Sequence, residues 1–522
     1  MLKKLHGRKL AVCLIGGAMY ALFSAFGWQA EHGGVIWAGG ALLVAALLVW
    51  PIAALLAVLL ERGYTRTLRQ EKTFRAGRAF AFILACYVPM FCVVFPGSFA
   101  YDVPYQLRQV VTGAYSTHHP LLHTLALGGL LQLGRALGDI NLGAALYTAL
   151  QMALLAGCFA LTCGSIARQS GARAAKRAAV FFALYPLNMV MAVNATKDVL
   201  FGGFFALTLA LLNEIREKPS RGLALKIAAC GALAVMLRNN MAYAALVWLA
   251  ILTLGLCKAE KSAALAMLLA LAVGLCGNTA LKHATRAESG DMSEMLSWPI
   301  QQLARARLYD EERLTDAEKE AIDELMPGEA WACYDPTISD PVKFEFDTQA
   351  FRADVKKYVG VWLSVGKKCA GTYLDATMAL TYPFFYPYRE YRVSGYYVQM
   401  GMSDAYDAGW CDFDPPESRS LFPRALASLS WRFGAKGAMQ IPVVGWLFNM
   451  GVIVWTMLFF ALREMYWGRW RRFGTALLPV LLWGTFLLGP VMAGRYIYPF
   501  VCALPVLAAR PGRSVKEAER HG

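Results

Sequence analysis

Residues 34–60 read GVIWAGGALLVAALLVWPIAALLAVLL and contain no charged side chain. A helix needs about 20 mostly apolar residues to cross a hydrocarbon core of about 30 Å, so this stretch predicts a transmembrane helix. The chain of 522 residues is 57% hydrophobic and only 17% charged, whereas soluble domains carry about 25% charged residues. The composition therefore excludes a soluble globular enzyme and predicts an all-α polytopic membrane protein.

Apolar runs like this one recur along the chain and predict about twelve transmembrane helices. They cover residues 10–27, 34–60, 79–97, 142–167, 178–194, 199–214, 222–237, 240–257, 262–280, 440–462, 474–490 and 494–509. Stretch 120–137 is also apolar, but Gly128, Gly129 and Arg135 interrupt it. We expect it to form an outer-surface or re-entrant helix, since amphipathic helices can lie in the membrane interface.

The basic residues predict the orientation, because Lys and Arg concentrate in cytoplasmic loops. Clusters occur near the N-terminus and at 62–78, 168–177, 216–221 and 463–472. With 120–137 on the surface, all of these clusters fall on the same side. The net charge of +15 is thus explained without nucleic acid. We expect a multi-pass protein of the bacterial inner membrane with cytoplasmic N- and C-termini, surrounded by membrane lipids.

This topology divides the chain into four regions. Residues 1–78 hold two spans and a basic cytoplasmic loop, and 79–281 form a membrane core whose first outer loop is 98–141. Residues 282–437 form a large extracytoplasmic insertion of mixed or helical structure, and 438–522 hold three spans and a basic tail.

The insertion has water-soluble chemistry, with 24 of the chain's 36 acidic residues. Thr315 and Glu318 fit a capping box that starts a helix, which should stop near Met326. Aromatic segment 382–388 is expected at the membrane interface. Cys333, Cys369 and Cys411 also lie here, and if the insertion faces an oxidising compartment, two of them could pair and leave the third free.

The first outer loop contains the densest group of candidate site residues. Asp102 follows a span by five residues, and His118, His119 and His123 lead into the surface helix. A carboxylate here could act as a general base, and the histidines could donate hydrogen bonds to phosphate. Alternatively, Asp102 caps a short helix, the histidines bond to backbone, or the three histidines bind zinc.

Three turns predicted on the same membrane face hold further candidates for phosphate binding. Lys197 and Asp198 lie between two spans, Arg238 ends another, and Arg495 and Tyr496 lie between the last two. Arginine suits phosphate because its guanidinium forms bidentate hydrogen bonds. Alternatively, Lys197 and Asp198 pair at a helix start, Arg238 belongs to a cap, and Arg495 and Tyr496 anchor the chain in the head-group region.

This layout resembles the glycosyltransferase C superfamily of membrane enzymes. The similarity lies in the pattern PG…YD…HHPLLHT over 96–124, the Lys197–Asp198 turn, the Arg495–Tyr496 turn and segment 294–302. These residues also resemble a narrower bacterial family assigned to that superfamily. The resemblance implies a polyprenyl-phosphate-linked sugar donor, a glycan or lipid acceptor, and Asp102 as the general base of an inverting transfer.

The sequence departs from the superfamily pattern in three ways. Two extra spans precede the core loop, and the outer domain is inserted between spans. Asp102 lacks the neighbouring second acid of many members, so a divalent metal requirement stays open and no other cofactor is predicted.

The chief alternative is a transporter or lipid flippase for cell-envelope precursors, which predicts charged residues deep inside the spans. A non-catalytic membrane assembly protein is the second alternative.

Overall fold

The structure is a computed structural model that describes residues 5–32, 39–61, 74–255, 261–290, 292–387, 400–402, 415–434 and 441–510. Within these ranges the regular secondary structure is helical, and the only extended pairings are isolated bridges. The insertion, expected to be mixed or helical, is therefore helical in its described part.

The N-terminal half of the described chain is a succession of helices. They are α1 (Arg8–His32), α2 (Gly39–Glu61), α3 (Ala76–Val93), α4 (Val103–Thr112), α5 (Leu121–Ala136), α6 (Ile140–Ser170), α7 (Ala172–Leu184), α8 (Pro186–Ala192), α9 (Lys197–Glu217), α10 (Arg221–Leu237), α11 (Asn239–Thr253) and α12 (Lys261–Thr285).

Six of these helices are long and apolar enough to cross a membrane, namely α1, α2, α3, α6, α9 and α12. The chain is therefore compatible with a membrane protein. Helix α6 carries an exposed leucine stripe at four-residue spacing, at Leu142, Leu146, Leu150 and Leu154. Such a stripe on an otherwise well-packed helix is suited to contact with lipid.

The segment predicted as one span at 178–194 is instead two short helices, α7 and α8. Helix α7 ends at Leu184, and Pro186 opens α8. A residue before proline is disfavoured in helical conformation, which explains an extended Tyr185 between the two.

Helix α9 forms the centre of the bundle. It packs against α6 and α10, and its buried residues lie on every side of the helix, as the consecutive Phe205, Ala206 and Leu207 show. A helix that is apolar all round belongs in the interior of a bundle. Its first residue, Lys197, therefore lies at one end of the bundle, and its last residue, Glu217, lies at the other end.

The insertion has a hydrophobic core of its own. Its helices are α13 (Ser297–Tyr309), α14 (Asp316–Leu325), α15 (Asp340–Lys343), α16 (Thr348–Ala353), α17 (Val355–Lys368) and α18 (Ala370–Thr381).

The predicted capping box is confirmed, because Thr315 Oγ1 accepts from Glu318 N and the Glu318 carboxylate accepts from Thr315 N at 2.9 Å. Helix α14 ends before Met326, as predicted.

The aromatic segment that follows α18 lies inside the protein rather than on its surface. Tyr382, Phe384, Phe385 and Tyr386 are almost completely buried, and the Phe385 ring lies 4.8 Å from that of Phe23 in α1. These rings join the insertion to the bundle. Tyr388, the last residue of the predicted aromatic segment, lies outside the described residues.

The chain then returns to the bundle through α19 (Pro423–Gly434), α20 (Met450–Tyr466), α21 (Trp470–Leu487) and α22 (Tyr498–Ala508). Of these helices, α22 packs along α9. A short 3-10 turn, Gly494–Ile497, connects α21 to α22 at the Lys197 end of α9.

Charged side chains gather at both ends of α9. At its C-terminal end, Arg168 pairs with Glu214 at 2.5 Å, and Arg216 donates to Thr475 at 2.6 Å. Helix α9 has 21 residues, so the two ends lie roughly 30 Å apart at 1.5 Å per residue.

Candidate functional site

Asp102 is held at the end of the bundle by a short extended segment. Ser98 N donates to Val193 O at 2.9 Å, and Ala195 N donates to Ser98 O at 2.8 Å, so the segment pairs with the chain just before α9. Asp102 occupies the N-cap position of α4, but its side chain accepts no hydrogen bond from that helix. The expected capping alternative is therefore not what holds the carboxylate.

The Asp102 carboxylate is bound by two cations from distant parts of the chain. Arg495 donates from Nη1 to Oδ2 at 3.0 Å and from Nη2 to Oδ1 at 3.2 Å. Lys197 Nζ donates to Oδ2 at 3.0 Å. Charged groups paired with this geometry form hydrogen bonds stronger than neutral ones.

His119 joins the same group through Lys197. Its Nδ1 lies 3.3 Å from Lys197 Nζ and 3.7 Å from Asp102 Oδ2, and its side chain is only 7% exposed. Burial and the Lys197 charge lower the pKa of His119 to about 2. The imidazole is therefore neutral at physiological pH, and its Nδ1 can accept a hydrogen bond from Lys197.

A second carboxylate, Asp198, supports Arg495 from the other side. Arg238 Nε donates to Asp198 Oδ1, Thr196 donates to Oδ2 at 3.2 Å, and Arg495 Nε lies 3.8 Å from Oδ2. Asp198 is completely buried. Lys197 and Asp198 stand at the start of α9, as the sequence alternative expected, but they bind different partners rather than each other.

Aromatic rings enclose the two guanidinium groups. Arg238 lies 4.6 Å from the Tyr496 ring centre and 4.8 Å from that of Phe486, and these two rings are parallel. Arg495 lies 4.6 Å from the ring of Tyr101. Cation–π contacts of this kind hold a guanidinium plane in a fixed orientation.

His118 and His123 lie apart from this group. His118 is exposed, and its ring centre lies 4.5 Å from that of His119 in an edge-to-face arrangement. His123 is buried, with Nδ1 3.0 Å from Gln106 Nε2 and Nε2 2.8 Å from Tyr147 Oη. Tyr147 in turn donates to Gln151 at 3.0 Å, so His123 connects α4, α5 and α6.

Among the described residues, no group of three or more His, Cys, Asp and Glu side chains is arranged to hold a metal ion. The three histidines of the predicted zinc alternative do not converge. For the insertion cysteines, Cys333 and Cys369 are both unpaired, and Cys411 lies outside the described residues.

The pKa of Asp102 reflects a competition between burial and charge. Burial raises the pKa of this carboxyl, but the charges of Arg495 and Lys197 outweigh burial and place it well below its usual value. Asp102 is therefore ionised at neutral pH. With neutral His119, the three cations Lys197, Arg238 and Arg495 exceed the two carboxylates by one positive charge.

Two buried N–H groups of the site have no hydrogen-bond partner among the described residues. They are Arg238 Nη2 and Arg495 Nε. Unsatisfied buried donors are rare in proteins and call for an explanation. Together with the net positive charge, these donors give the site the chemistry required to bind an anion.

A profile of a family of unknown function, DUF6020, matches residues 111–521, most of the chain. The chain belongs to the DUF6020 family. No curated protein and no solved structure matches it. The family match includes Lys197, Arg238 and Arg495, whereas Asp102 lies nine residues before it.

Sequence reasoning missed two aromatic residues of this DUF6020 protein that line the site. Tyr101 adjoins Asp102 and has a positive φ of 55°, and Phe486 lies in the apolar run of α21. The sequence pattern around an aromatic residue in such a run is the same whether its ring contacts lipid or a guanidinium. Tyr101 could have been suggested by its position beside the candidate base.

Proposed function

We propose that this protein is a membrane glycosyltransferase that transfers a sugar from a polyprenyl-phosphate donor to an extracytoplasmic glycan or lipid acceptor. The observation that carries the proposal is the contact of Asp102 with both Arg495 and Lys197 at the rim of the bundle. A carboxylate that can take a proton thus lies beside cations that can bind a phosphate. Both groups are needed to move a sugar from phosphate to a hydroxyl.

In the proposed reaction, Asp102 takes the proton of the acceptor hydroxyl as its oxygen attacks the anomeric carbon. The bond from that carbon to the phosphate oxygen breaks, and the electron pair leaves with the phosphate. The sugar is transferred with inversion. Negative charge grows on the departing phosphate, and positive groups fixed in place stabilise such charge without reorganisation. Lys197, Arg495 and Arg238 supply these groups.

The charge of the site supports a monophosphate linkage. A polyprenyl-phosphate sugar is a phosphodiester with one negative charge, and the site has one net positive charge. A diphosphate linkage would bring two negative charges beside Asp198, which is buried and cannot move into water. We therefore assign the phosphate of the donor to Arg495 and Lys197, with the polyprenyl chain lying among the helices.

The charges at the far end of α9 support an extracytoplasmic location for the site. Four arginines lie in the first or last turns of helices, next to the loops predicted to be cytoplasmic. They are Arg168, Arg216, Arg463 and Arg472. By the tendency of basic residues to remain in the cytoplasm, the Asp102 end faces outward. The twelve-span topology and the cytoplasmic termini belong to this proposal.

The transporter or flippase alternative requires charged residues along a path through the bundle. In the described part of α6, α9, α10 and α12, charged side chains occur only within the first or last two turns. This distribution favours a reaction at the rim. The aromatic residues of segment 382–387 are buried, so in this proposal other parts of the insertion bind the acceptor.

The proposal is tested by comparing lipid-linked sugars and surface glycans in the source organism with and without this chain. We expect cells that lack the chain to accumulate one polyprenyl-phosphate sugar and to lose that sugar from a surface glycan or lipid. Complementation with Asp102→Asn should leave both defects, whereas complementation with Asp316→Asn, at a fully exposed acid of the insertion, should correct them. Full correction by Asp102→Asn would remove Asp102 from catalysis.

A further inference from the structure

We infer that the Asp102 carboxylate and the substrate phosphate compete for the same N–H groups of Arg495 and Lys197, so that phosphate binding displaces Asp102 and frees it to act as a base. The inference rests on the proposed function and describes how its site is switched on. An ion-paired Asp102 is a poor proton acceptor, so the contact in the structure needs such a step before transfer.

The donors that would bind phosphate are already directed at Asp102. Both Nη atoms of Arg495 donate to its two oxygens. Lys197 donates to one of these oxygens and lies against His119. A phosphate that approaches this pair therefore meets donors already occupied by a carboxylate, which has a similar arrangement of oxygen atoms.

The cations are held by groups other than Asp102. Arg495 is 9% exposed, lies beside Asp198 and packs against the Tyr101 ring. The segment that leads from α21 into the turn carrying Arg495 is held by the insertion, since Ser339 N donates to Pro490 O at 2.9 Å and Trp298 Nε1 donates to Leu487 O at 2.7 Å. Arg495 can therefore keep its place when its partner changes.

Asp102 is the partner that is free to leave. Its side chain is 22% exposed, against 10% for Arg495 and 0% for Asp198. Its hydrogen bonds and close ionic contacts involve only Arg495, Lys197 and His119 within the described structure. Because no cap or backbone group holds the carboxylate, an anion that binds the two cations removes what keeps it in place.

The test measures binding of farnesyl phosphate, a prenyl phosphate without a sugar, to the full-length protein in detergent. Asp102→Asn removes the competing charge, so we expect it to tighten binding by about tenfold, equivalent to 1.4 kcal/mol. Asp102→Ser should show the same gain if the asparagine variant does not fold. Unchanged or weaker binding in a folded Asp102 variant would overturn the inference.

Asp198→Asn is the matched control, because it removes an equal charge near Arg495 without removing the competitor. Competition predicts no gain for Asp198→Asn, since Arg495 and Arg238 lose a group that holds them. Equal gains in both variants would indicate long-range electrostatics and overturn the inference. Inorganic phosphate, measured in parallel, distinguishes a site for the anion alone from one that also requires the prenyl chain.

The outcome can be separated from that of the proposed function. Tighter binding with unimpaired sugar transfer by Asp102→Asn would support competition and exclude Asp102 as the base. Lost transfer with unchanged binding would exclude competition while supporting the catalytic role.

Discussion

Asp102 and Arg495 are 393 residues apart in the chain, yet they form two hydrogen bonds of 3.0 and 3.2 Å. One follows the third helix, and the other precedes the last. A contact between the first outer loop and the last turn closes the rim of the bundle around Lys197. The proposed function and the stability of this end of the protein both depend on it.

Replacing Arg495 by alanine should destabilise the protein. Asp102 would keep Lys197 but lose two charged donors at a site where the Arg495 side chain is 10% exposed. Removing one partner of a buried ion pair costs about 3–5 kcal/mol, and we expect about 1–3 kcal/mol here because Lys197 remains. Thermal unfolding in detergent measures the change.

Arg419→Ala provides the control for this ion-pair prediction. Arg419 pairs with Asp139 at 2.6 Å, but the two side chains are 50% and 40% exposed. Exposed pairs contribute about 0–1 kcal/mol, so this variant should melt close to the wild type. An equal fall in melting temperature in the two variants would show that the Asp102–Arg495 contact stabilises the protein no more than an exposed ion pair does.

His123 should be needed for stability, unlike His118. His123→Ala would remove one buried hydrogen bond each from Gln106 and the Tyr147 hydroxyl, which would keep their bonds to Thr124 and Gln151, and each lost bond costs about 0.5–1.5 kcal/mol. His118→Ala alters an exposed ring and should change the melting temperature little. If His123→Ala melts like the wild type, the network through α4, α5 and α6 does not stabilise the fold.

The crossing of α5 and α6 should not tolerate a side chain at Gly134. A Cβ atom there would lie 2.2 Å from Gly143 N, a backbone atom of the facing helix. We expect Gly134→Ala to force the helices apart and to lower both the yield of folded protein and its melting temperature.

Gly129 lies in the same helix, and a Cβ atom there meets nothing within 4 Å. Gly129→Ala should be neutral or stabilising by up to about 1 kcal/mol, since alanine favours helix over glycine. A similar loss in the two glycine variants would argue against the close approach of α5 and α6.

Stability should fall as the pH is lowered below about 6.5, the ordinary histidine pKa. Burial lowers the pKa of His119 to about 2 and that of His123 to about 3. Between these values and 6.5 the unfolded chain binds protons that the folded protein does not, so acid favours unfolding. Each histidine contributes a slope of up to about 1.4 kcal/mol per pH unit.

His119→Asn tests the assignment of this pH dependence, since asparagine keeps a polar atom near Lys197 but does not titrate. Melting temperatures at pH 7.5, 6.5 and 5.5 should decline less steeply in this variant than in the wild type. Parallel curves would mean that His119 does not contribute.

Much of the helical framework could be predicted from the sequence. Apolar length located the long helices, because crossing a membrane imposes a minimum run of apolar residues. The capping box at Thr315 was also readable, since it depends on two residues three positions apart. The break at Tyr185 was missed, although Pro186 signals it, because the surrounding residues are apolar enough to suggest one continuous span.

The site could be predicted only in part. Positive-inside reasoning placed Asp102, Lys197 and Arg495 on one face, but which of them touch depends on packing between distant helices. His123 was grouped with His119 by proximity in sequence, yet helical geometry turns it towards Tyr147. The aromatic segment 382–388 was expected at the membrane interface, but its described aromatic residues are buried in the protein, because composition alone does not show whether a ring contacts lipid or protein.

The central claim is that the Asp102–Arg495–Lys197 cluster transfers a sugar from a polyprenyl phosphate. Its most direct test adds the polyprenyl-phosphate sugar that accumulates in cells lacking the chain to membranes containing the wild type, Asp102→Asn or Asp316→Asn at equal protein levels. We predict that the wild type and Asp316→Asn release free polyprenyl phosphate as the sugar appears on an acceptor, and that Asp102→Asn slows this at least about 100-fold, as expected for loss of a general base. Transfer by Asp102→Asn at the wild-type rate would contradict the account.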